Sequence, residues 1–132
     1  MKFIAPPYLV LAKKLIGKKY HINLNQYRNW HYIVSNNLKQ KYKEVIAEQL
    51  QGKKFTKPVR LIFTMHRGDK RKVDRSNVLC IHEKFFCDAL VEAGCMPDDN
   101  DNFIQETIYR TGTIDNINPR IEIEVIEIKK RS

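Results

Sequence analysis

The sequence predicts a single α+β domain: a small mixed β-sheet with two helices, in the order β-α-β-α-β-β. The first observation is size, because 132 residues with 42% hydrophobic content suit one compact domain. The second is periodicity, because two segments carry apolar residues at helical spacing and others alternate as strands do. The third is the absence of repeats and linkers in the sequence. We therefore expect one domain over residues 1–132, with 1–13 as an N-terminal extension.

The first half of the chain contains one clear helix. Residues 14–22 predict a short strand or an extended arm, and the polar, aromatic stretch 23–32 predicts a loop because it has no periodicity. A helix follows over 33–50, and Gly52 is placed to end it. The apolar positions at helical spacing are Val34, Leu38, Tyr42, Val45, Ile46 and Leu50.

The second half predicts three strands and a helix. Residues 58–67 alternate as a half-buried strand. The next helix is expected over 77–93, capped by Ser76 or Asn77 and ended by Gly94. Strands follow over 102–112 and from 120, and Ile126 interrupts the alternation of the last one. That interruption predicts a bulge near 125–126. The inward positions of the strand over 58–67 are Val59, Leu61, Phe63 and Met65.

The second helix presents an apolar face and a polar stripe beside it. His82 falls within the apolar face, where a histidine is more often a packed, hydrogen-bonded core residue than a ligand. Asn77, Lys84 and Asp88 share the flank of that face and lead away from the segment "DRSN". The apolar face is formed by Val78, Ile81, Phe85 and Ala89, extended by Phe86, Leu90 and Ala93.

The charge of the chain favours a polyanionic partner. Lys and Arg total 24 against 15 Asp and Glu, which gives a net charge of +9. Nucleic acid is the first candidate and a membrane surface the second. The basic segments lie mainly before position 76. No apolar run approaches the roughly 20 residues that a membrane-spanning helix needs, so we expect no membrane partner.

The cysteines and the first residues indicate a reduced, intracellular protein. Cys80, Cys87 and Cys95 are an odd number and do not form a disulfide framework. Cys80 and Cys87 also lack the spacing of a zinc site. The opening "MKFIAPPYLV" is interrupted by two prolines and has no small-residue cleavage site, which argues against a signal peptide.

Acidic residues stand at both ends of the second helix, in "DRSN" (74–77) and "PDDND" (97–101). Mg²⁺ prefers oxygen ligands and keeps several waters, so two or three carboxylates suffice to hold it. A bound metal ion would neutralise a phosphodiester and activate water. The helix between the two segments is about 25 Å long, so one loop must fold back or a second subunit must supply the other half. "PDDND" is also an ordinary turn sequence.

The segment "DRSNVLCIHEKFFCDALVEAGCMPDDNDNFI" resembles the RusA-type Holliday junction resolvases of bacteria and prophages. Their pattern is Asp-x-Asp-Asn, a helix with Lys and Asp-Ala-Leu, a Gly and then Asp-Asp. The resemblance is closest over 74–103, weaker over 14–67 and absent from the first dozen residues. Upstream, "NLNQYRNWHY" is similar to the Asn-rich loop of phage members.

The resemblance implies an enzyme: a homodimeric, Mg²⁺-dependent endodeoxyribonuclease, with Mn²⁺ as a substitute, in the cytoplasm of a bacterial host. Such an enzyme resolves four-way DNA junctions in recombination and repair by symmetric nicking. Asp74 and Asp99 match the first and third catalytic aspartates, and Lys84 matches the helix lysine. We expect Asp74 and Asp99 to share one metal ion, with Ser76 and Asp98 as further ligands.

Two departures from the family pattern put catalysis in question. Ser76 stands where the family has its second aspartate, and it brings no charge. Asp88 lies about one helical turn farther from Asn77 than in shorter members. Asp98, Asp101 or Asp88 could compensate. The alternatives are a catalytically weakened or inactive junction- or nucleic-acid-binding protein, and a regulatory module whose basic loops bind an acidic protein.

The basic loop 67–75 and the loop 23–32 are expected to flank the carboxylate site. Trp30 and Tyr27 are candidates to stack on an unpaired base, and the equal alternative is that Trp30 anchors its loop to the core. The residues expected to contact nucleic acid are Arg28, Trp30, Arg67, Lys70, Arg71, Lys72, Arg75 and Asn77.

Overall fold

The computed structural model describes residues 1–11 and 18–129 and shows a small domain of mixed α+β structure. The predicted fold class is confirmed at that level. In chain order the elements are β1 (Lys2–Ala5), β2 (Tyr8–Val10), β3 (Lys19–His21), α1 (Leu24–Asn29), α2 (Tyr32–Leu50), β4 (Val59–His66), α3 (Arg75–Glu92), β5 (Ile104–Thr111) and β6 (Arg120–Glu127).

The main sheet has four strands in the order β1-β6-β4-β5, and β2 pairs with β3 in a separate two-stranded sheet. β6 is antiparallel to both of its neighbours, whereas β4 and β5 are parallel. Parallel neighbours require a crossover connection, and α3 provides it. The crossover lays α3 beside β5 and brings the acidic loop after α3 to the start of that strand.

The core lies between the sheet and the two long helices. The Phe86 ring of α3 lies with its centroid 5.6 Å from that of Phe3 in β1 and 6.1 Å from that of Phe63 in β4. All three side chains are buried, and truncating such a phenylalanine to alanine costs about 3–5 kcal/mol. Of the six apolar positions predicted for α2, Val45 is exposed. The buried side chains of that helix are Leu38, Tyr42, Ile46 and Leu50.

The N-terminal residues are not an extension, because Lys2–Ala5 forms an edge strand of the main sheet. Phe3 and Ala5 are buried, and Phe3 pairs with Ile123 of β6. Two inward side chains before a pair of prolines are too few to reveal alternation in the sequence. Of the arm predicted over 14–22, β3 occupies Lys19–His21, and residues 14–17 lie outside the described part of the chain.

The predicted loop 23–32 contains the short helix α1. Asn23 caps it, since its side chain accepts a hydrogen bond from the Gln26 N–H at 2.8 Å. The Oδ1 of Asn77 accepts a second one from the Leu24 N–H at 2.9 Å. The prediction of a loop over 23–32 was therefore wrong. A helix of six residues is too short to show periodicity in the sequence, and one of its two caps lies 53 positions away.

Helix α3 begins two residues earlier than predicted. Its cap is Asp74 instead of Ser76 or Asn77, and the Asp74 Oδ1 accepts from the N–H groups of both, at 3.0 and 3.3 Å. The predicted ends of the long helices are confirmed, because Gly52 and Gly94 have φ of +73° and +77°, the left-handed conformation of helix-ending glycines.

Two further details of the prediction are wrong. β6 has no bulge, since its register with β4 is continuous from Arg120 to Glu127, and the irregularity lies between Val59 and Arg60 where β4 meets β5. Ile126 breaks the apolar alternation simply because it lies half-buried on the other face of the sheet. Ala93, predicted on the core face of α3, is exposed at its C-terminal cap.

Candidate active site between α3 and β5

A cavity of about 400 Å³ lies between α3, β5 and the acidic loop that joins them. Its helical wall comes from side chains three and four apart, which therefore share one face. On its strand wall, Thr107 and Tyr109 are two apart and lie on one face of β5. The lining residues are Cys80, Glu83, Lys84 and Cys87 of α3, Asp99 and Asp101 of the loop, and Ile104, Thr107 and Tyr109 at the β5 wall.

Glu83 and Tyr109 connect the two walls. The Tyr109 hydroxyl donates a hydrogen bond to Glu83 Oε1. Burial, and then this hydrogen bond, raise the pKa of Tyr109 well above its usual value of 10. The hydroxyl therefore keeps its proton at neutral pH and remains a donor to the carboxylate. Glu83 was not among the site residues predicted from sequence.

The two cysteines of the cavity are thiols at neutral pH. Burial raises the pKa of Cys80 and of Cys87, and the Glu83 charge raises both further. The thiolate is the nucleophilic and metal-binding form of cysteine. The cysteines therefore line the cavity without adding a reactive group, which leaves its chemistry to the carboxylates and Lys84.

The aspartates of the loop differ in what they bind. Asp98 stabilises the turn, since its Oδ1 accepts from the Asp99 N–H at 2.7 Å and its Oδ2 from the Asn100 Nδ2 at 3.1 Å. Asp99 and Asp101 are exposed at the cavity, and within residues 1–11 and 18–129 their carboxylates form no hydrogen bond or ion pair. Asp98 is thus engaged within its turn, while these two are available to a ligand.

Asp74 lies outside the lining of this cavity. Its charge is among the causes that raise the pKa of Cys80, whereas the Asp99 charge raises that of Cys87. Cys80 and Cys87 are seven residues apart, which is about 10 Å along the helix. Asp74 therefore lies toward the Cys80 end of this helix face and Asp99 toward the Cys87 end. Ser76 is exposed next to Asp74. That Asp74 and Asp99 share one metal ion stays a prediction.

Lys84, which the sequence resemblance singled out, lines the same cavity as Asp99. Its side chain is exposed, and its Nζ lies 5.9 Å from the centroid of the Tyr27 ring of α1. That distance is at the outer limit of a cation–π contact. The ammonium group is therefore placed at the rim, between α1 and the acidic cavity, where it can meet a phosphate.

The three residues of the predicted polar stripe of α3 do not all lie at the cavity. Asn77 is used to cap α1, and the Asp88 carboxylate lies 3.6 Å from the Lys39 ammonium of α2. Both face other helices rather than the cavity. His82 is confirmed as a core residue, since it is buried and its Nδ1 shares a 3.0 Å hydrogen bond with the Tyr42 hydroxyl. Burial lowers the pKa of His82 to about 3.

The basic loop 67–75 contacts β5, the strand that forms one wall of the cavity, through Arg75. Arg75 donates to Thr111 Oγ1 at 3.0 Å, and Thr111 follows Thr107 and Tyr109 on the same side of β5. Arg67 donates to the Arg71 carbonyl and borders a separate, mostly apolar cavity of about 330 Å³. The exposed basic residues of the loop are Lys70, Arg71, Lys72 and Arg75.

The aromatic residues near α1 support the anchoring alternative for Trp30. Its ring packs edge-on against Tyr20 and Tyr27, with centroids 6.4 and 5.8 Å apart, and adjoins the hydrophobic core. Arg28 is exposed on α1 and remains a candidate phosphate contact.

The carboxylate oxygens of the cavity are the type of ligand that a hard cation such as Mg²⁺ prefers. Within the described residues, no three Asp, Glu, His or Cys side chains converge closely enough to form a metal site by themselves. Mg²⁺ is commonly held by one or two carboxylates with waters and substrate phosphates. Asp99, Asp101 and Glu83 fit that arrangement, in which the substrate completes the coordination.

Comparison with known proteins does not assign the chain to a family: no protein-family model and no curated protein matches it. None of the helices among residues 1–11 and 18–129 is long and apolar enough to cross a membrane.

Proposed function

We propose that the chain is a RusA-like, Mg²⁺-dependent endodeoxyribonuclease that nicks four-way DNA junctions. The observation that carries the proposal is the cavity between α3 and β5, where Asp99, Asp101 and Glu83 meet Lys84 in a chain of net charge +9. These carboxylates have no ion-pair partner among the described residues, and on a basic protein they suit a metal-assisted reaction of a polyanion. The sequence motif of 74–103 supplies the reaction class.

Each part of the groove has a task in this reaction. A bound Mg²⁺ would stabilise negative charge on the phosphate during hydrolysis. Asp99 and Asp101 would hold the ion, and Lys84 would hold a phosphate oxygen with its ammonium donors. At the other end, Arg75 lies beside Thr111 and can bind a neighbouring phosphate. Phosphate contacts of this kind position the DNA and do not read its sequence.

A second candidate is a protein that binds branched DNA without cutting it. Two observations favour it: Asp74 is engaged as a helix cap, and Ser76 contributes no charge at the matched position. The exposed basic loop would still bind the phosphate backbone. Such binding weakens steeply with salt, because each neutralised phosphate releases counterions.

One assay separates the two candidates. An immobile four-way junction is incubated with the protein in Mg²⁺, in Ca²⁺ and in EDTA, and both binding and nicking are recorded. We expect paired nicks in Mg²⁺ only, with linear duplex of the same sequence left intact. Salt-sensitive junction binding without nicks would establish the second candidate and overturn the first.

The proposal includes a homodimer in the cytoplasm of a bacterial host. A four-way junction offers two equivalent strands, and two-fold symmetry places one site on each. We expect a dimeric mass by light scattering at micromolar concentration. A strictly monomeric mass in a protein that still makes paired nicks would contradict this part of the proposal.

A further inference from the structure

We propose that the outer edge of β5 is the interface for a second copy of this chain, whose own β5 pairs with it antiparallel about a two-fold axis at Ile108. The inference rests on the proposed function, whose homodimer it deepens by naming the surface that joins the two copies. Two features of β5 support it: the open backbone of its outer edge and the placement of its two charges.

The two edges of the four-stranded sheet differ in what binds their backbone. At the β1 edge, the Gln49 side chain of α2 binds both backbone groups of Ile4. Its Oε1 accepts from the Ile4 N–H at 2.7 Å, and its Nε2 donates to the Ile4 carbonyl at 2.8 Å. β5 has only β4 as a neighbour among the described strands. An uncovered edge is a template for another strand, so β5 is the edge at which a second copy can add.

Alternate residues of β5 direct their backbone groups away from the sheet. The Gly112 N–H donates to the Met65 carbonyl of β4, so the even-numbered residues face β4 and the odd-numbered ones face outward. The outward residues are Thr107, Tyr109 and Thr111. Within the described part of the chain their backbone groups have no hydrogen-bond partner. They are therefore available to an antiparallel strand.

The charges of β5 are self-complementary about Ile108. In an antiparallel pair centred there, Glu106 lies opposite the partner subunit's Arg110, and the reverse holds on the other side of the axis. The same register places Thr107 opposite the partner subunit's Tyr109, so that outward backbone groups meet. An axis at Thr107 or Tyr109 would also align outward groups but would pair no opposite charges. The two opposite-charge pairs therefore favour the axis at Ile108.

Both charges can reach a partner. Glu106 is exposed, and its Oε2 accepts from the Arg60 Nε at 2.6 Å, while its Oε1 has no partner among the described residues. Arg110 is also exposed, and it forms no ion pair within the same part of the chain. Pairing with a second copy would extend the Arg60–Glu106 ion pair across the axis.

This pairing brings the two α3–β5 cavities together. Thr107 and Tyr109 line the cavity of their own chain, and across the axis each lies opposite the other. A two-fold axis perpendicular to the sheet keeps both copies of α3 on the same face, so the cavities lie side by side. One surface then presents a site for each of two equivalent strands.

Cysteine cross-linking tests the position of the axis. Directly opposite residues of a non-hydrogen-bonded pair have Cα atoms about 4.5 Å apart, which is within the range of a disulfide. Ile108→Cys should therefore form a disulfide-linked dimer on oxidation with diamide, detected by non-reducing electrophoresis. Ile126→Cys is the matched control, because Ile126 is half-buried on the same face but lies in the interior strand β6. It should cross-link no more than the unmodified chain.

Charge reversal tests the register by sedimentation velocity over a range of concentrations. Arg110→Glu and Glu106→Arg each place two like-charged pairs across the axis, so each should weaken dimerisation about tenfold or more. An equimolar mixture of the two variants restores two opposite-charge pairs and should recover most of the affinity. Lys2→Glu makes the same change of charge on the β1 edge and should leave dimerisation unchanged. A urea titration checks that each variant is folded.

The inference is overturned if the unmodified chain is a monomer, if Ile108→Cys and Ile126→Cys cross-link equally, or if the mixture dimerises no better than either variant alone. Nicking of the four-way junction separates these results from the proposed function. A dimer with the expected pattern, in a chain that nicks no junction, would keep the interface and remove the function. Paired nicks by a chain whose Arg110→Glu variant dimerises normally would remove the interface and leave the function.

Discussion

The two polar faces of helix α3 differ in what their side chains bind. On the face toward α1 and α2, Asn77, His82 and Asp88 each have a partner in another helix. On the face toward β5, Glu83 is held by Tyr109 at the wall of an open cavity that also receives Asp99. One helix thus carries polar residues that stabilise the fold and others that remain available to a ligand.

The difference shows why a polar stripe in a sequence does not identify a site. Asn77, Lys84 and Asp88 share one flank of the helix, yet only Lys84 lies at the cavity. What distinguishes the two faces is the neighbouring element. The packed helices supply a partner to Asn77, His82 and Asp88. Beside the edge strand, the carboxylates of the acidic loop at the cavity have none among the described residues. The contrast can be tested by making the same chemical change on both faces.

The largest effect is expected from paired Asp→Asn changes on nicking of a four-way junction. Asp99→Asn should slow cleavage by more than about 100-fold, equivalent to about 2.7 kcal/mol of transition-state stabilisation, because it removes charge from the proposed metal site. Asp88→Asn should cleave normally, since its carboxylate only pairs with Lys39. Equal loss from both variants would end the distinction between the two faces.

Paired Tyr→Phe changes should separate the faces in stability. Tyr42→Phe leaves a nitrogen of His82 without its partner in the core, so we expect a loss of about 1–3 kcal/mol in the free energy of unfolding. Tyr109→Phe should cost about 0.5 kcal/mol, because Glu83 can take water in its place. Urea unfolding at pH 7 measures both, and a reversed order would contradict the assignment.

The pH dependence of stability tests the buried side of the comparison, the face of α3 toward α2, through His82. Burial lowers the pKa of His82 from 6.5 to about 3 in the folded chain. Between those values the unfolded state binds the extra proton, so the free energy of unfolding falls as pH falls, by up to about 1.4 kcal/mol per unit. Above pH 6.5 this contribution is fully present. His82→Gln should remove the slope between pH 6.5 and 5, whereas His31→Gln, at an exposed position, should keep it.

The smallest effect concerns Asp74, whose capping role can be separated from metal binding. Asp74→Ala should destabilise the chain by about 1 kcal/mol, whereas Asp74→Asn should leave stability unchanged because asparagine caps equally well. If Asp74 also holds a metal ion, Asp74→Asn should lose nicking while remaining stable. Thermal unfolding and the nicking assay on the same samples give both answers.

Long, periodic elements could be predicted from the sequence, and elements that depend on distant partners could not. The helix over 33–50 and the alternating strand over 58–67 appear as α2 and β4, because their apolar spacing reflects burial directly. The edge strand Lys2–Ala5 and helix α1 were missed, since each is short and depends on contacts far along the chain.

The residues of the candidate site also differ in whether the sequence could predict them. Asp99 and Lys84 could be proposed from the motif, and the structure groups them in one cavity. Glu83 could not, because its significance comes from Tyr109, 26 residues later on a different element. The spacing of Cys80, Glu83 and Cys87 was the available signal, and it resembles an ordinary amphipathic edge.

The position of β6 between β1 and β4 affects how the protein can be assembled during synthesis. β1 is made first among the described strands and stays without a partner until β6 appears, because Phe3 pairs with Ile123. Closing so long a loop costs about 4 kcal/mol of chain entropy before any pairing offsets it. The four-stranded sheet is therefore complete only after β6 has been synthesised, and a truncation before residue 120 would leave β1 and β4 with exposed edges prone to aggregation.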